Sequence, residues 1–164
     1  MQFIIDGHNL IPHISGLSLS DLDDEQSLID LLIPYLRAKK SHAMVFFDRA
    51  ASGKAGQLNF GLVKAVFVHE SQSADSAIEA YVRQLGGASR THTLVSSDRM
   101  VQAAARSHHA TILTSQEFSL QLERFYEELP LDDPAGRELS PEEVQQWQDL
   151  FNQYGSQPPD GMSP

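Results

Sequence analysis

Phe3-Ile4-Ile5-Asp6-Gly7-His8-Asn9-Leu10 opens with an apolar run that stops on an aspartate, and the same pattern returns at Ala43-Met44-Val45-Phe46-Phe47-Asp48. Short apolar runs of this kind suit strands buried on both faces, as in parallel sheets. Similar runs cover Val63 to Val68, Thr93 to Ser96 and Thr111 to Leu113. Segments of helical period lie between them. Asp24 to Lys39 sets Leu28, Ile29, Leu32, Ile33 and Leu36 on one stripe, which Pro34 is expected to kink or split. Ser73 to Leu85 reads as a second helix, closed by Gly86-Gly87. A third, Asp98 to Ser107, packs through Met100, Val101, Ala104 and Ala105. The spacing of Thr114 and Glu117 fits a capping box, from which a fourth helix runs through Phe118, Leu122 and Phe125. Strands that alternate with helices predict an α/β fold with a mostly parallel central sheet flanked by helices.

A chain of 164 residues, 41% hydrophobic, supports one well-filled core rather than two. We expect a compact domain over residues 1–129 and an acidic linker with a C-terminal helix over 130–154. A disordered tail is expected over 155–164. In the helix, Ser140-Pro141-Glu142-Glu143 forms the start, and Trp147, Leu150, Phe151 and Tyr154 share a face suited to a protein partner. With no cysteine there is neither disulfide nor thiolate zinc. No leader-like segment follows Met1 and no apolar run reaches membrane-spanning length, so a cytoplasmic protein without a membrane partner is expected. The net charge of −10 argues against a broad nucleic-acid-coating surface. Residues 123–164 hold ten acidic and two basic side chains, so the acidity is concentrated outside the remainder of the chain.

Ligands of open parallel sheets bind beyond the carboxyl ends of the strands. Asp6 and Asp48 end the first two strands, Asp98 follows the fourth, and Asp75 opens the helix after the third. An aspartate in such a position is commonly a helix cap or turn former. Four at one edge repel one another, and a hard divalent cation, Mg²⁺ or Mn²⁺, resolves the repulsion with oxygen ligands and retained water. Such an ion activates water and neutralises a phosphate without a protein nucleophile, which suits a chain lacking cysteine and any G-x-S-x-G motif.

Asp6-Gly7-His8-Asn9-Leu10, Val45-Phe46-Phe47-Asp48, Ser73-Ala74-Asp75-Ser76-Ala77-Ile78-Glu79 and Val95-Ser96-Ser97-Asp98-Arg99 together resemble the NYN domain family, in its YacP-like branch, over about residues 2–122. The resemblance implies a PIN-like three-layer α/β sandwich and a metal-dependent endoribonuclease. It also implies RNA as substrate, with bacterial members acting on messenger RNA at the ribosome. By position it makes Asp6, Asp48, Asp75 and Asp98 the acidic metal site, Asn9 the motif asparagine and Ser97 the small hydroxyl residue before the last aspartate. His8 departs from the family's usual tyrosine, and the acidic extension lies beyond the matching motifs.

Around this set, Asn9 either orients a carboxylate or simply forms a turn. Glu79, one helical turn beyond Asp75, is either a supporting ligand or base or a solvated side chain. The loop Arg49 to Gln57 supplies Arg49 and Lys54, and the last motif supplies Arg99, as contacts for RNA phosphates. His8 and His13 are poor ligand candidates for an oxygen-seeking ion. Asp21, Asp23, Asp24 and Glu25 are explained by a helix N-terminus and are excluded from the site. Two other readings compete: a catalytically silent RNA-binding or protein-docking module on the same fold, and an aspartyl-phosphate phosphatase. The second lacks the Asp-x-Asp pair after a strand that it requires.

Overall fold

The computed structural model describes residues 1–50, 55–130 and 145, with residues 49 and 50 as backbone only. The expected linker, tail and final helix, apart from Pro130 and Gln145, lie outside the described residues, as does Lys54. Met1–Glu128 forms one compact unit.

Within it, β1 (Gln2–Asp6) is central and pairs in parallel with β2 (His42–Ala50) on one side and β5 (His92–Val95) on the other. Outward from β2 lie β4 (Val63–His69) and then β3 (Gly56–Phe60), while β6 (Thr111–Leu113) flanks β5. The order β3-β4-β2-β1-β5-β6 is parallel except at β3, which pairs antiparallel to β4. The α/β class and the mostly parallel sheet are as the sequence predicts.

Two helical layers cover the sheet because successive side chains of each strand point to opposite faces. Phe3, Ile5, Val45 and Phe47 meet α2 (Asp24–Ala38) and α5 (Ser115–Glu128), where Leu28, Leu32, Tyr35, Phe118 and Leu122 complete one core. Ile4, Phe46 and Leu94 face α3 (Ala74–Leu85) and α4 (Arg99–Ser107), which bring Ile78, Val82, Val101 and Ala105. The short α1 (Gly7–Leu10) turns directly out of β1. Gly7 is required there, since a Cβ would overlap the Phe47 ring.

Local signals hold at most helix ends. Ser73 caps α3 by accepting from the Ser76 N–H, and Thr114 and Glu117 bond reciprocally ahead of α5. Gly86, at φ +52°, ends α3 in a conformation that disfavours other residues. Pro34 does not split α2, which is continuous over 15 residues; Asp30, whose carbonyl it cannot serve, is on an exposed position where water can bond it. Met100, expected on the packing side of α4, is 74% exposed. The stretch read as a loop to Gln57 already contains the start of β3, an edge strand with no buried residue and therefore no apolar alternation.

Candidate active site

The carboxyl ends of β1, β2, β4 and β5 lie along the predicted acidic edge. Asp6, the last residue of β1, is 5% exposed; its Oδ1 accepts from the Asn9 N–H at 3.4 Å and its Oδ2 from the Ser96 hydroxyl at 3.5 Å. Asp48 lies in β2 where the pairing with β4 becomes irregular, and its Oδ1 accepts from the Ala74 N–H at 2.6 Å, at the start of α3. Asp75 is half-buried in the first turn of α3. Asp98 caps α4, its Oδ1 accepting from the N–H groups of Met100 at 2.8 Å and Val101 at 3.1 Å.

These carboxylates act on one another. Burial, reinforced by Asp75, Asp48 and Asp98, pushes the Asp6 carboxyl from 3.8 up to about 7, against the pull of the Asn9 N–H. Asp75 is raised as well, by burial first and then by Asp98, Asp48 and Glu79, while a hydrogen bond with Asp6 draws it back. Glu79, half-buried one turn further along α3, therefore faces the cluster electrostatically.

Asn9 serves as a clamp. Its Oδ1 accepts from the Ser97 N–H at 2.8 Å and from the Ser115 hydroxyl at 2.6 Å, tying the turn after β1 to those after β5 and β6. Ser97 is exposed, and its Oγ accepts from the Ser115 N–H at 3.1 Å. Arg99 opens α4 beside Asp98 and is exposed. The Arg49 backbone continues β2, whereas Lys54 lies outside the described residues.

Several contributors were not apparent in the sequence. Ser96, fully buried, donates to Asp6 and accepts from the Asp98 N–H at 3.1 Å, and its carbonyl accepts from the Gln102 amide at 2.7 Å. The Ser96-Ser97-Asp98 run carries a signal for it, yet the family resemblance points only to the second serine. His8 packs on the Phe47 ring at 5.5 Å, and its Nδ1 accepts from the Asp48 N–H at 3.2 Å. That acceptor role places the ring proton on Nε2, 3.2 Å from a Glu25 oxygen. Glu25, set aside as a helix-start residue, thus reaches the margin of the site through His8. Asp24 remains within α2, bonding the Glu25 N–H.

Among the described residues no group of three or more histidine or acidic side chains is arranged to hold a metal ion. The donors nonetheless suit a hard cation that keeps much of its water: all are carboxylates, they crowd one another electrostatically, and no lysine or arginine forms an ion pair with them among the described residues.

The match to a NYN domain model puts the chain in a family of PIN-like nucleases. Within that class the chain belongs to the YacP-like NYN domain family, whose model matches residues 3–152. The match runs past residue 122, where the legible motifs end, and takes in much of the acidic extension. The crystal structure of Rae1 (YacP) from Bacillus subtilis is similar at TM-score 0.62 and 22% identity, over 94% of this chain and 96% of that one. A single-substitution mutant of the same B. subtilis protein gives 0.63 and 19%, over 93% and 99%. No curated protein sequence matches significantly. Among the described residues no helix is long and apolar enough to cross a membrane.

Proposed function

We propose that this chain is a metal-dependent endoribonuclease that hydrolyses RNA phosphodiester bonds at the carboxyl edge of its sheet. The observation that carries the reading is the gathering of Asp6, Asp48, Asp75 and Asp98 until burial and mutual repulsion push Asp6 up to about 7. Membership of a nuclease family supports the same chemistry.

In this reading the four aspartates hold Mg²⁺ or Mn²⁺. The bound ion supplies charge neutralisation at the phosphate, a more acidic water and support for the leaving oxygen. Asp6, pushed up to about 7, would have to give up its proton for such an ion to be held, which would couple metal binding to pH. Ser96 and Asn9 fix the spacing between Asp6 and Asp98. Glu79 adds negative potential beside Asp75, and Arg49, Lys54 and Arg99 contact RNA phosphates.

The test is cleavage of a pool of single-stranded and structured RNA by purified protein in Mn²⁺, Mg²⁺ or EDTA, with Asp48→Asn and Asp75→Asn alongside. Internal cutting that needs metal and disappears in both variants is expected. Cutting that persists in EDTA or in both variants would overturn the reading.

A further inference from the structure

The two helical layers differ in charge. On one face, α2 and α5 carry seven acidic and two basic side chains. On the other, α3 and α4 carry three arginines, and their only acids are Asp75 and Glu79, both at the site end of α3. From Ala80 to Leu113 the chain has four arginines and a single acidic residue, Asp98. In a protein of net charge −10 this is a local reversal.

The topology turns these arginines into a track. α3 and α4 each follow a parallel strand and return toward its amino end, so they run in the same direction. Arg83 and Arg106, in their last turns, therefore lie at the end away from the acidic site, and Arg90 lies between α3 and β5 at that same end. Arg99 stands at the other end of α4, beside Asp98. Arg99 and Arg106 are seven residues apart, hence on one side of the helix and separated by about 10 Å along it. All four are exposed, and among the described residues none forms an ion pair with a carboxylate. Arg106 makes one long bond, 3.5 Å, to the Gln102 amide oxygen. Last-turn arginines also complement helix dipoles, a role that leaves the guanidinium donors of Arg83 and Arg106 available.

We propose that the α3–α4 face binds the phosphate backbone of single-stranded RNA, with Arg83, Arg90 and Arg106 holding the strand that Arg99 delivers to the acidic edge. This rests on the reading of RNA as the substrate. Guanidinium groups bind phosphate oxygens through paired donors, and backbone contacts of this kind position a strand without reading its sequence. The acidic α2–α5 face repels the same strand and leaves one route to the site.

The test is binding of a fluorescein-labelled, unstructured 12-nucleotide RNA, followed by anisotropy in EDTA across a KCl series. Each phosphate contact on a single strand contributes about 0.7 to the slope of log affinity against log salt. Arg83→Gln/Arg106→Gln is expected to reduce the slope by about 1.4 and weaken low-salt binding on the order of 10-fold. Arg83→Lys/Arg106→Lys should restore the slope, which separates lost charge from lost fold. Arg37→Gln/Arg124→Gln, on the opposite face, should leave both quantities unchanged. Equal effects from the two Gln pairs, or an unchanged slope in the first, would overturn the proposal.

Cleavage in Mn²⁺ is read in parallel. A parent protein that cuts RNA while the first pair keeps full affinity and slope refutes the track alone. One that binds through these arginines but never cuts refutes the nuclease reading and leaves the track standing.

Discussion

Asp6→Asn removes the charge that the fold accommodates least well, and its effect can be worked from the site. The Asp6 carboxyl has an ordinary value of 3.8 and is pushed up to about 7 in the folded chain, chiefly by burial. An acid raised on folding keeps its proton in the native state while the unfolded chain has already released it. The native state then binds more protons, so stability falls as pH rises across the window from about 4 to about 7 and stays reduced above it. Each pH unit of that window is worth about 1.4 kcal/mol, so the two units above pH 5 amount to about 3 kcal/mol. An asparagine has no such term. It keeps an oxygen for the Asn9 N–H and presents an amide to the Ser96 hydroxyl, which can accept as well as donate. Urea unfolding followed by circular dichroism, in EDTA near pH 5 and pH 8.5, should show the parent losing about 3 kcal/mol more than the variant between the two conditions. For a compact unit of this size the corresponding shift in Tm is on the order of 10 °C. Parallel pH profiles for parent and variant would refute the claim that Asp6 is strained by its surroundings.

Four further substitutions separate the parts of the site. Asp98→Asn keeps the cap on α4, because asparagine caps as well as aspartate, so unfolding free energy should change by less than about 0.5 kcal/mol; metal-dependent cutting should fall by at least the roughly 10- to 100-fold that loss of an outer-shell partner costs. Asn9→Ala strips the acceptor from the Ser97 N–H and the Ser115 hydroxyl and should cost about 2 to 3 kcal/mol in urea unfolding; a loss under about 0.5 kcal/mol would mean that water replaces the clamp. His8→Phe retains a ring against Phe47 but leaves the Asp48 N–H without its acceptor, for a cost of about 1 to 2 kcal/mol. Glu25→Gln, which touches only the partly exposed outer nitrogen of His8, should cost well under about 1 kcal/mol, and equal losses in these two variants would show that the contact with Asp48 contributes nothing.

Five strands and four helices were legible because burial on one or both sides imposes a pattern on the chain. β3 was not, since an edge strand with every residue at least partly exposed carries no alternation. The same distinction runs through the site. Asp6, Asp48, Asp75 and Asp98 could be placed because strand ends and helix starts have local signatures. The roles of Ser96, His8, Glu25 and Gln102 arise where separate loops meet. His8 reaches Asp48 across 40 residues and Glu25 across 17, and no local window contains either contact.

Bonding a helix start and belonging to the acidic cluster are compatible roles for three of the four aspartates. Asp6 and Asp98 each give their Oδ1 to the first turn of the helix that follows, and Asp48 gives its Oδ1 to the first N–H of α3, a helix that does not follow its own strand. The partial positive charge of a helix start offsets part of the repulsion among neighbouring carboxylates. It also orients each group, since one oxygen is bonded to the backbone while the other remains for a neighbour, a water or an ion. Asp75 lies inside its helix rather than ahead of it, half-buried in the first turn of α3. A parallel sheet sets helix N-termini along its carboxyl edge by construction, so this topology can gather carboxylates along that one edge.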